Sequence, residues 1–194
     1  MEPRDLAERL RAHFPHEVAE VTEFRGEVTA RLASPEDLPT LCAFARDKLA
    51  CDLLLDITSI DHYGETPRWR VVYQLYSLKH RAHLRLAVTV EEAVSELPTV
   101  TPLWRTADWH EREIYDLMGL RFRGHPDLRR ILMWEGYPYF PLRKDFPLAG
   151  KPSAVAEVAF SDRAPLEGGP FVSPPGATDA VRREPRARPP EDAS

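Results

Sequence analysis

The sequence is poor in side-chain amides and in cysteine. Among its 194 residues there is no asparagine, one glutamine and only two cysteines, Cys42 and Cys51. Depletion of the thermolabile amides is typical of proteins from thermophiles. Cys42 falls in a predicted helix and Cys51 just before an apolar strand, so the pattern favours two buried, reduced thiols of a cytoplasmic protein over a disulfide.

Long apolar runs and an excess of positive charge are also missing. No stretch approaches the ~18 consecutive apolar residues of a membrane-spanning helix, and the opening MEPRDLAERL is too charged for a signal peptide. The net charge of −5 gives the chain no overall attraction to nucleic acid. We expect a soluble protein whose contact with a membrane is at most peripheral or made through a partner.

The short signatures of common enzyme classes are absent too. There is no H-E-x-x-H, no clustered pair of cysteines and no glycine-rich phosphate loop. No serine lies in a nucleophile elbow, and neither cysteine has a neighbouring histidine. The sequence thus offers no local motif for zinc-dependent, nucleotide-dependent or nucleophilic catalysis.

What is present at the N-terminal end is a helix, a hairpin and a second helix. Leucines at i, i+4 spacing predict a helix over about residues 4–12. Alternating apolar residues predict strands at about 17–24 and 27–33, with a turn at Arg25-Gly26. Ser34-Pro35 then supplies an N-cap and a first helical position for the helix in SPEDLPTLCAFARDKLA.

Three strand-like runs follow, in LLLDITSIDHY, RWRVVYQLYSL and AHLRLAVTV. The links between them are short, and short links join antiparallel neighbours. We therefore predict that these three strands form the antiparallel part of one sheet.

The next segment reads as helical. A helical region is predicted to start near Val90, to restart at Thr101-Pro102 and to end at Met118, where Gly119 is the expected C-cap. GHPDLRRIL then resembles a turn leading into a further helix. Together these elements predict an α+β fold, with a mostly antiparallel sheet and helices packed on one face.

The composition changes at residue 150. Eight of the 19 prolines fall in the last 44 residues, and large apolar side chains are few there. Such a segment cannot bury enough surface to fold alone. We predict an α+β domain over residues 1–149 and an extended, partly disordered Pro-rich arm over 150–194. Phe160 and Phe171 are its candidate anchors on a partner, and a disordered tail is the alternative.

The densest chemistry lies in EREIYDLMGLRFRGHPDLRRIL, residues 111–132, where nine charged residues and a histidine occupy 22 positions. One interpretation is a stand-alone metal-dependent enzyme that uses His110, Glu113 and His125. His110 and Glu113 share a helix face. Against this interpretation, a di-metal bundle site needs such pairs from two helices, and only one is predicted.

A second interpretation is an RNA-binding module. Between Arg121 and Asp145 there are six basic residues against three acidic ones, and a basic patch attracts phosphate or an acidic protein face. Trp134, Tyr137, Tyr139 and Phe140 lie in the same segment, but they cluster with prolines, and such clusters more often form rigid packed loops.

The third interpretation is a protein interface. Arginine, aromatic residues and methionine are enriched at interface centres. The alternating charges of Glu111-Arg112-Glu113 and Arg143-Lys144-Asp145 suit ion pairs that fix the register of a docked partner. Ion pairs within the chain, holding the long loop to its own domain, are equally compatible with the pattern.

Two long motifs favour the interface. The stretch from Trp109 to Leu132, W-x-E-R-E-x-Y-D-L-x-G-x-x-F-x-G-H-P-D-L-R-R-I-L, resembles the signature of the 30-kilodalton (C-type) subunit family of respiratory complex I. PLRKDFPL at 141–148 is similar to the family's second hallmark, and LLLDITSIDHYG also resembles the family. The likeness covers most of residues 10–150. One departure is EGYPYFPLRKD, which is a few residues longer than the family pattern.

This resemblance implies a non-catalytic structural subunit of the peripheral arm of proton-translocating NADH–quinone oxidoreductase (complex I), on the cytoplasmic side of the cell membrane. It would dock on the larger D-type subunit, beside the iron–sulfur subunits, and stabilise the quinone-reducing module. FMN and iron–sulfur clusters are expected in partner subunits and none in this chain, whose two cysteines are too few for a conventional cluster. The implied partner contacts are Glu111, Arg112, Glu113, Asp116, His125, Asp127, Arg129, Arg143, Lys144 and Asp145 in the domain, with Phe160 and Phe171 in the arm.

Overall fold

The computed structural model describes residues 1–134 and 136–147, and it opens with helix α1, Pro3–His13. A hairpin of β1, Val18–Phe24, and β2, Glu27–Leu32, follows. Arg25 and Gly26 between them both have positive φ, 52° and 80°, which is the turn that matches the twist of paired strands. The predicted helix and hairpin are confirmed.

The second helix begins where the sequence indicates. Ser34 Oγ accepts the N–H of Glu36 at 3.3 Å, and a single 3-10 turn, Pro35–Asp37, leads into α2, Leu38–Leu49. Cys42 lies within this helix and Cys51 just after it, and both are free and buried, as predicted. Burial raises the pKa of the Cys51 thiol to about 12, so it stays protonated at neutral pH.

Five strands form the main sheet. The three predicted central runs are β3, Leu53–Asp61, β4, Trp69–Ser77, and β5, Ala82–Val90. The strand order is β1-β2-β5-β4-β3, with antiparallel pairing except between β2 and β5, which are parallel. The mostly antiparallel α+β fold is therefore confirmed.

The segment after β5 differs from the prediction. The helix expected near Val90 is not formed, and β6, Glu96–Pro98, pairs parallel with β7, Arg121–Arg123. Pro98 is the reason, because proline breaks a helix and biases the residue before it to extended backbone. Leu97, held extended in this way, is fully buried beside Phe122.

Helix α3, Ala107–Met118, starts later than predicted and ends as predicted. Thr101–Thr106 form turns, and Thr106 Oγ1 donates to the carbonyl of Leu54 at 3.3 Å. Gly119, with φ 79°, is the left-handed C-cap.

One core fills the space between the helices and one face of the sheet. Alternate β4 residues are buried while their neighbours are partly exposed, as expected when one sheet face is covered. Fully buried side chains of this core include Leu6, Leu10, Leu38, Leu41, Tyr73, Leu75, Leu84 and Leu86. No helix among residues 1–134 and 136–147 is long and apolar enough to cross a membrane. The predicted arm, 150–194 with Phe160 and Phe171, lies outside the described residues.

Candidate functional site

Residues 124–147, here called the return loop, run from β7 back along α3. The predicted helix in GHPDLRRIL is absent from it, and residues 125–134 have no regular structure. The loop contains the GHPDLRRIL end of the first motif and residues 141–147 of the second, so its attachment to the domain decides which of their side chains face outward.

Asp116 is the first attachment point. Its fully buried carboxylate accepts the backbone N–H groups of Ile131, Leu132 and Met133 at 3.0, 2.7 and 2.8 Å. Those N–H groups would point at the preceding turn in a helix, which explains why GHPDLRRIL is not helical. Burial raises the pKa of this carboxyl, but the N–H groups and Arg130 outweigh burial, so the pKa lies below its usual value.

Arg130 joins Asp116 to the aromatic part of the loop. Its Nη1 lies 2.5 Å from Asp116 Oδ1, and its Nη2 donates to the carbonyls of Tyr137 and Tyr139 at 2.5 and 3.1 Å. The guanidinium also lies over the Phe140 ring, 5.2 Å from its centroid. Arg130 therefore holds residues 137–140 of the loop against Asp116.

Glu111 and Arg112 also turn inward. Arg112 donates to the carbonyls of Arg129 and Arg130 at 3.2 and 3.1 Å. Glu111, fully buried, accepts the N–H of Val100 at 2.8 Å and the hydroxyl of Thr99 at 2.5 Å. Burial raises the pKa of Glu111 to about 7.

His125 fixes the start of the return loop. Its side chain is fully buried, with Nε2 3.2 Å from Asp108 Oδ1 and 4.0 Å from Glu111 Oε2. Its Nδ1 accepts the N–H of Asp127 at 3.0 Å. Because Nδ1 is an acceptor, this network assigns the ring proton to Nε2, facing the carboxylate of Asp108.

Arg68 is the second attachment point, and it lies at the start of β4. It forms a bidentate pair with Asp61 at 2.9 Å for both contacts, and it also reaches Glu92 at 2.5 Å and Asp145 at 2.6 Å. Asp61 Oδ2 additionally accepts the N–H of Lys144 at 2.8 Å. The hydrogen bond from Arg68 lowers the pKa of Asp145. The PLRKD segment is thereby tied to the end of β3 and the start of β4.

Arg143 packs against the end of α3. Its Nε donates to the carbonyl of Met118 at 2.6 Å, and its guanidinium lies 4.5 Å from the Phe140 ring centroid and 5.2 Å from that of Trp69. Desolvation and the nearby Arg68 lower the pKa of Arg143. A Cβ on Gly119 would collide with this guanidinium and lie 2.7 Å from the Phe140 ring, so the close approach requires glycine.

The predicted contact residues fall into an inner and an outer group. Glu111, Arg112, Asp116 and the His125 side chain are buried within this chain, and Arg143 is partly covered. The exposed group consists of Glu113, Asp127, Arg129, Lys144 and Asp145. Asp127 and Arg129 pair with each other at 2.8 Å, and Asp145 pairs with Arg68. The described residues supply no partner for the carboxylate of Glu113, and the charge of Lys144 acts on Asp61 without a direct side-chain hydrogen bond.

The metal-site alternative is not assembled by the geometry. His110 Nδ1 lies 3.3 Å from Asp56 Oδ1, whereas His125 faces Asp108. Within residues 1–134 and 136–147, no three His, Cys, Asp or Glu side chains are grouped to hold a metal ion. Glu113 stands exposed, so the three proposed ligands do not converge.

Half of the basic residues of the patch are engaged in ion pairs. Arg123 pairs with Glu36 and Glu96, Arg129 with Asp127, and Arg130 with Asp116. The aromatic rings pack edge to face on one another, as in the Trp134–Tyr137 contact at 4.5 Å. These contacts are those of a packed loop rather than an open stacking platform for bases.

Two residues that the sequence reasoning missed are Arg68 and Arg130. Each binds a carboxylate from another part of the chain, since Arg68 and Asp145 are 77 residues apart and Arg130 and Asp116 are 14 apart. The only local feature of the sequence that marks Arg130 is its position next to Arg129. In the structure Arg129 pairs with Asp127 at the surface, whereas Arg130 turns inward to Asp116.

Comparison with known proteins decides the family. The family described as the respiratory-chain NADH dehydrogenase 30 kDa subunit matches residues 32–152. The chain belongs to this family. The resemblance drawn from the two sequence motifs is thereby confirmed.

Individual relatives agree with this assignment. The C subunit of the NADH-quinone oxidoreductase of Geotalea uraniireducens is 44% identical over 160 residues, covering 82% of this chain and 91% of that protein. The corresponding C subunit of Geobacter metallireducens is 47% identical over 143 residues, covering 73% and 88%.

Solved structures support the fold. The trypsin-resistant fragment (1-134) of Nqo5 superposes with a TM-score of 0.58 at 31% identity, covering 66% of this chain and all of the fragment. A chain of the membrane-bound sulfane sulfur reductase, an archaeal respiratory membrane complex, gives 0.65 at 19% identity, covering 75% and 85%. At that identity the second match supports the fold alone.

Proposed function

We propose that this chain is a non-catalytic structural subunit in the peripheral arm of a proton-translocating NADH–quinone oxidoreductase. In this role it docks on the larger D-type subunit, next to the iron–sulfur subunits, and stabilises the quinone-reducing module. FMN and the iron–sulfur clusters reside in those partners, and the complex holds the chain at the cytoplasmic side of the membrane.

The observation that carries the proposal is the double attachment of the return loop. Asp116 accepts three consecutive N–H groups from it, and Asp61 with Arg68 holds its PLRKD segment. Buried carboxylates satisfied by N–H groups and arginine fix a backbone firmly, because each broken bond would leave a polar group unsatisfied. A loop without regular structure is thus presented in one conformation, and preorganisation reduces the entropy lost on binding.

The outer charges of the loop are the proposed contacts. Asp127, Arg129 and Lys144 face solvent, and interfacial charges of this kind steer encounter and fix register. The inner group, which includes Glu111 and Arg112, does not touch the partner in this proposal. It holds the loop in the conformation that the partner binds. The arm of 150–194, with Phe160 and Phe171, extends the contact over adjacent subunits.

An affinity pull-down tests the proposal. The tagged full chain is recovered from gently solubilised native membranes and examined by mass spectrometry and by an absorbance spectrum. We expect the D-type subunit, the neighbouring iron–sulfur subunits and iron–sulfur absorbance in the same fraction. A monomer without partners would contradict the proposal.

A further inference from the structure

The outer side of α3 carries a tryptophan, Trp109, that is largely exposed to solvent. Trp109 is 62% exposed, although the guanidinium of Arg112 lies over one face of its ring, 5.8 Å from the centroid. Glu113 follows one turn later and is also exposed. Residues four apart on a helix are neighbours, so Trp109 and Glu113 form one strip along α3.

A groove of about 520 Å³ adjoins Trp109 at the start of this strip. Pro102 lines it from the turns before α3, and Gly124 and Pro126 line it from the return loop. The buried His125 between those two residues holds that side of the groove in place. The groove is therefore a shallow, largely apolar recess between the turns before α3 and the return loop.

The free charge on α3 beyond the groove is the carboxylate of Glu113, which is exposed and has no partner among residues 1–134 and 136–147. The guanidinium of Arg112 over Trp109 is held by two backbone carbonyls of the return loop. Arg105 and Asp108, which are opposite in charge, both border the groove. The charge preference therefore arises at Glu113 rather than in the groove itself.

We infer that this α3 strip, formed by Trp109, its groove and Glu113, is a docking site for a basic segment of a neighbouring subunit. An apolar side chain of that segment enters the groove against Trp109. A lysine or arginine about 6 Å further along, one helical turn, pairs with the carboxylate of Glu113. The inference rests on the proposed function and adds to it a surface centred on α3 and the chemistry of the partner.

The physical case for the strip joins two features of strong interface sites. An exposed tryptophan beside a recess offers a large apolar area at low cost in side-chain entropy, and tryptophan is enriched among dominant interface residues. An unpaired carboxylate one turn away adds charge complementarity, which selects a basic partner and rejects an acidic one.

Variants of the full chain, expressed in place of the native protein, test the strip. We expect Trp109→Ala to weaken retention in the purified complex by at least about tenfold, as for a dominant interface residue, and Glu113→Lys to weaken it as well. Phe24→Ala and Glu8→Lys are matched controls, since Phe24 is 70% exposed on the β1–β2 hairpin and Glu8 is exposed on α1. Unchanged thermal unfolding of each isolated variant excludes a folding defect.

Photo-crosslinking identifies the occupant. Benzoylphenylalanine at position 109 in the assembled complex should link to a peptide of another subunit that contains a lysine or arginine close to the linked residue. Reversing the charge of that residue should restore retention of Glu113→Lys. Links to residues 148–194 of this chain or to a second copy would overturn the inference. So would full retention of Trp109→Ala and Glu113→Lys in the complex, when the wild type co-purifies with its partners. Failure of wild type to co-purify would overturn the proposed function, and this inference with it.

Discussion

Asp116 and Arg130 form a buried ion pair that joins α3 to the return loop, with 2.5 Å between Oδ1 and Nη1. The same carboxylate accepts three backbone N–H groups, so one side chain replaces the hydrogen bonds that a helix would have supplied. The loop therefore has no helix at this point, but its backbone is held in one conformation by Asp116 and Arg130.

Asp116→Ala should detach the return loop. Removing one member of a buried pair leaves the other charge uncompensated, which costs about 3–5 kcal/mol. We expect the free energy of unfolding in urea to fall by that amount and trypsin to cleave near Arg129 and Arg130 first. Asp127→Ala is the control, because its pair with Arg129 is exposed and worth no more than about 1 kcal/mol. Equal losses in the two variants would contradict the anchoring role of Asp116.

Gly119→Ala should be more harmful than an ordinary glycine substitution. A non-glycine residue at φ 79° costs about 1–2 kcal/mol, and the added Cβ collides with Arg143 and Phe140. Gly64→Ala is the control, since its φ is 87° and no atom lies within 4 Å of a Cβ there. Thermal unfolding should show the larger loss at Gly119. Similar losses at both positions would mean that the approach of Arg143 relaxes freely.

The sheet was predictable from the sequence because apolar residues recur along its strands, most regularly in β4. There Trp69, Val71, Tyr73 and Leu75 are buried and the intervening residues are not. β6 and β7 were not predicted because each is three residues long and pairs with the other across an intervening helix. Leu97 and Phe122 are partners that no local pattern connects.

The sequence predicted where the candidate site lies, but not which of its side chains point into the domain and which point to solvent. The charged motif does form one site, made by α3 and the loop that packs over it, yet charge order alone does not say that Arg130 points inward while Arg129 points outward. Which side chain is buried depends on Asp116, more than ten residues earlier, and on the carbonyls of Tyr137 and Tyr139. Burial of this kind is a property of tertiary packing and has no local signature.

Arg68→Lys should loosen the PLRKD segment. Lysine cannot reproduce the bidentate pair with Asp61 and also reach Glu92 and Asp145, since it has a single ammonium group. We expect stability to fall by about 2–4 kcal/mol and hydrogen exchange to accelerate at the N–H of Lys144. Arg85→Lys, at a more exposed pair with Glu27, should leave that N–H protected. Continued protection of Lys144 in Arg68→Lys would contradict the role of Arg68.

Glu111 should make stability fall as pH rises. Its pKa is raised by burial to about 7 from 4.5, so the folded state holds a proton that the unfolded state has released between these values, and stability decreases across that window. The loss amounts to at most about 3.5 kcal/mol, at ~1.4 kcal/mol per tenfold change in proton affinity. Asp61, Asp116 and Asp145, whose pKa values are lowered, act in the opposite sense and only below about pH 4.

Urea unfolding at pH 5 and pH 8 measures this effect. Glu111→Gln carries no titrating group, so its stability should change less between the two pH values than that of wild type. Glu113→Gln, at the exposed neighbouring position, should retain the wild-type difference. A wild-type difference that persists in Glu111→Gln would assign the pH dependence to another group.

Lys144→Glu separates assembly from chemistry. Its ammonium group is exposed and makes no side-chain hydrogen bond with the described residues, although its charge acts on Asp61, which also accepts its backbone N–H. The backbone hydrogen bond does not depend on the side chain, so the substitution should leave the fold intact. Arg143→Glu is less clean, because that guanidinium is packed against Met118 and Phe140. We expect Lys144→Glu to reduce the amount of assembled complex on native gels, with quinone reduction per assembled complex unchanged, since a docking residue supplies binding and not a reaction step.

Lys79→Glu, an exposed lysine in the β4–β5 turn, should leave assembly at the wild-type level. Normal assembly with a collapse of turnover in Lys144→Glu would instead require a direct role for this loop in quinone reduction.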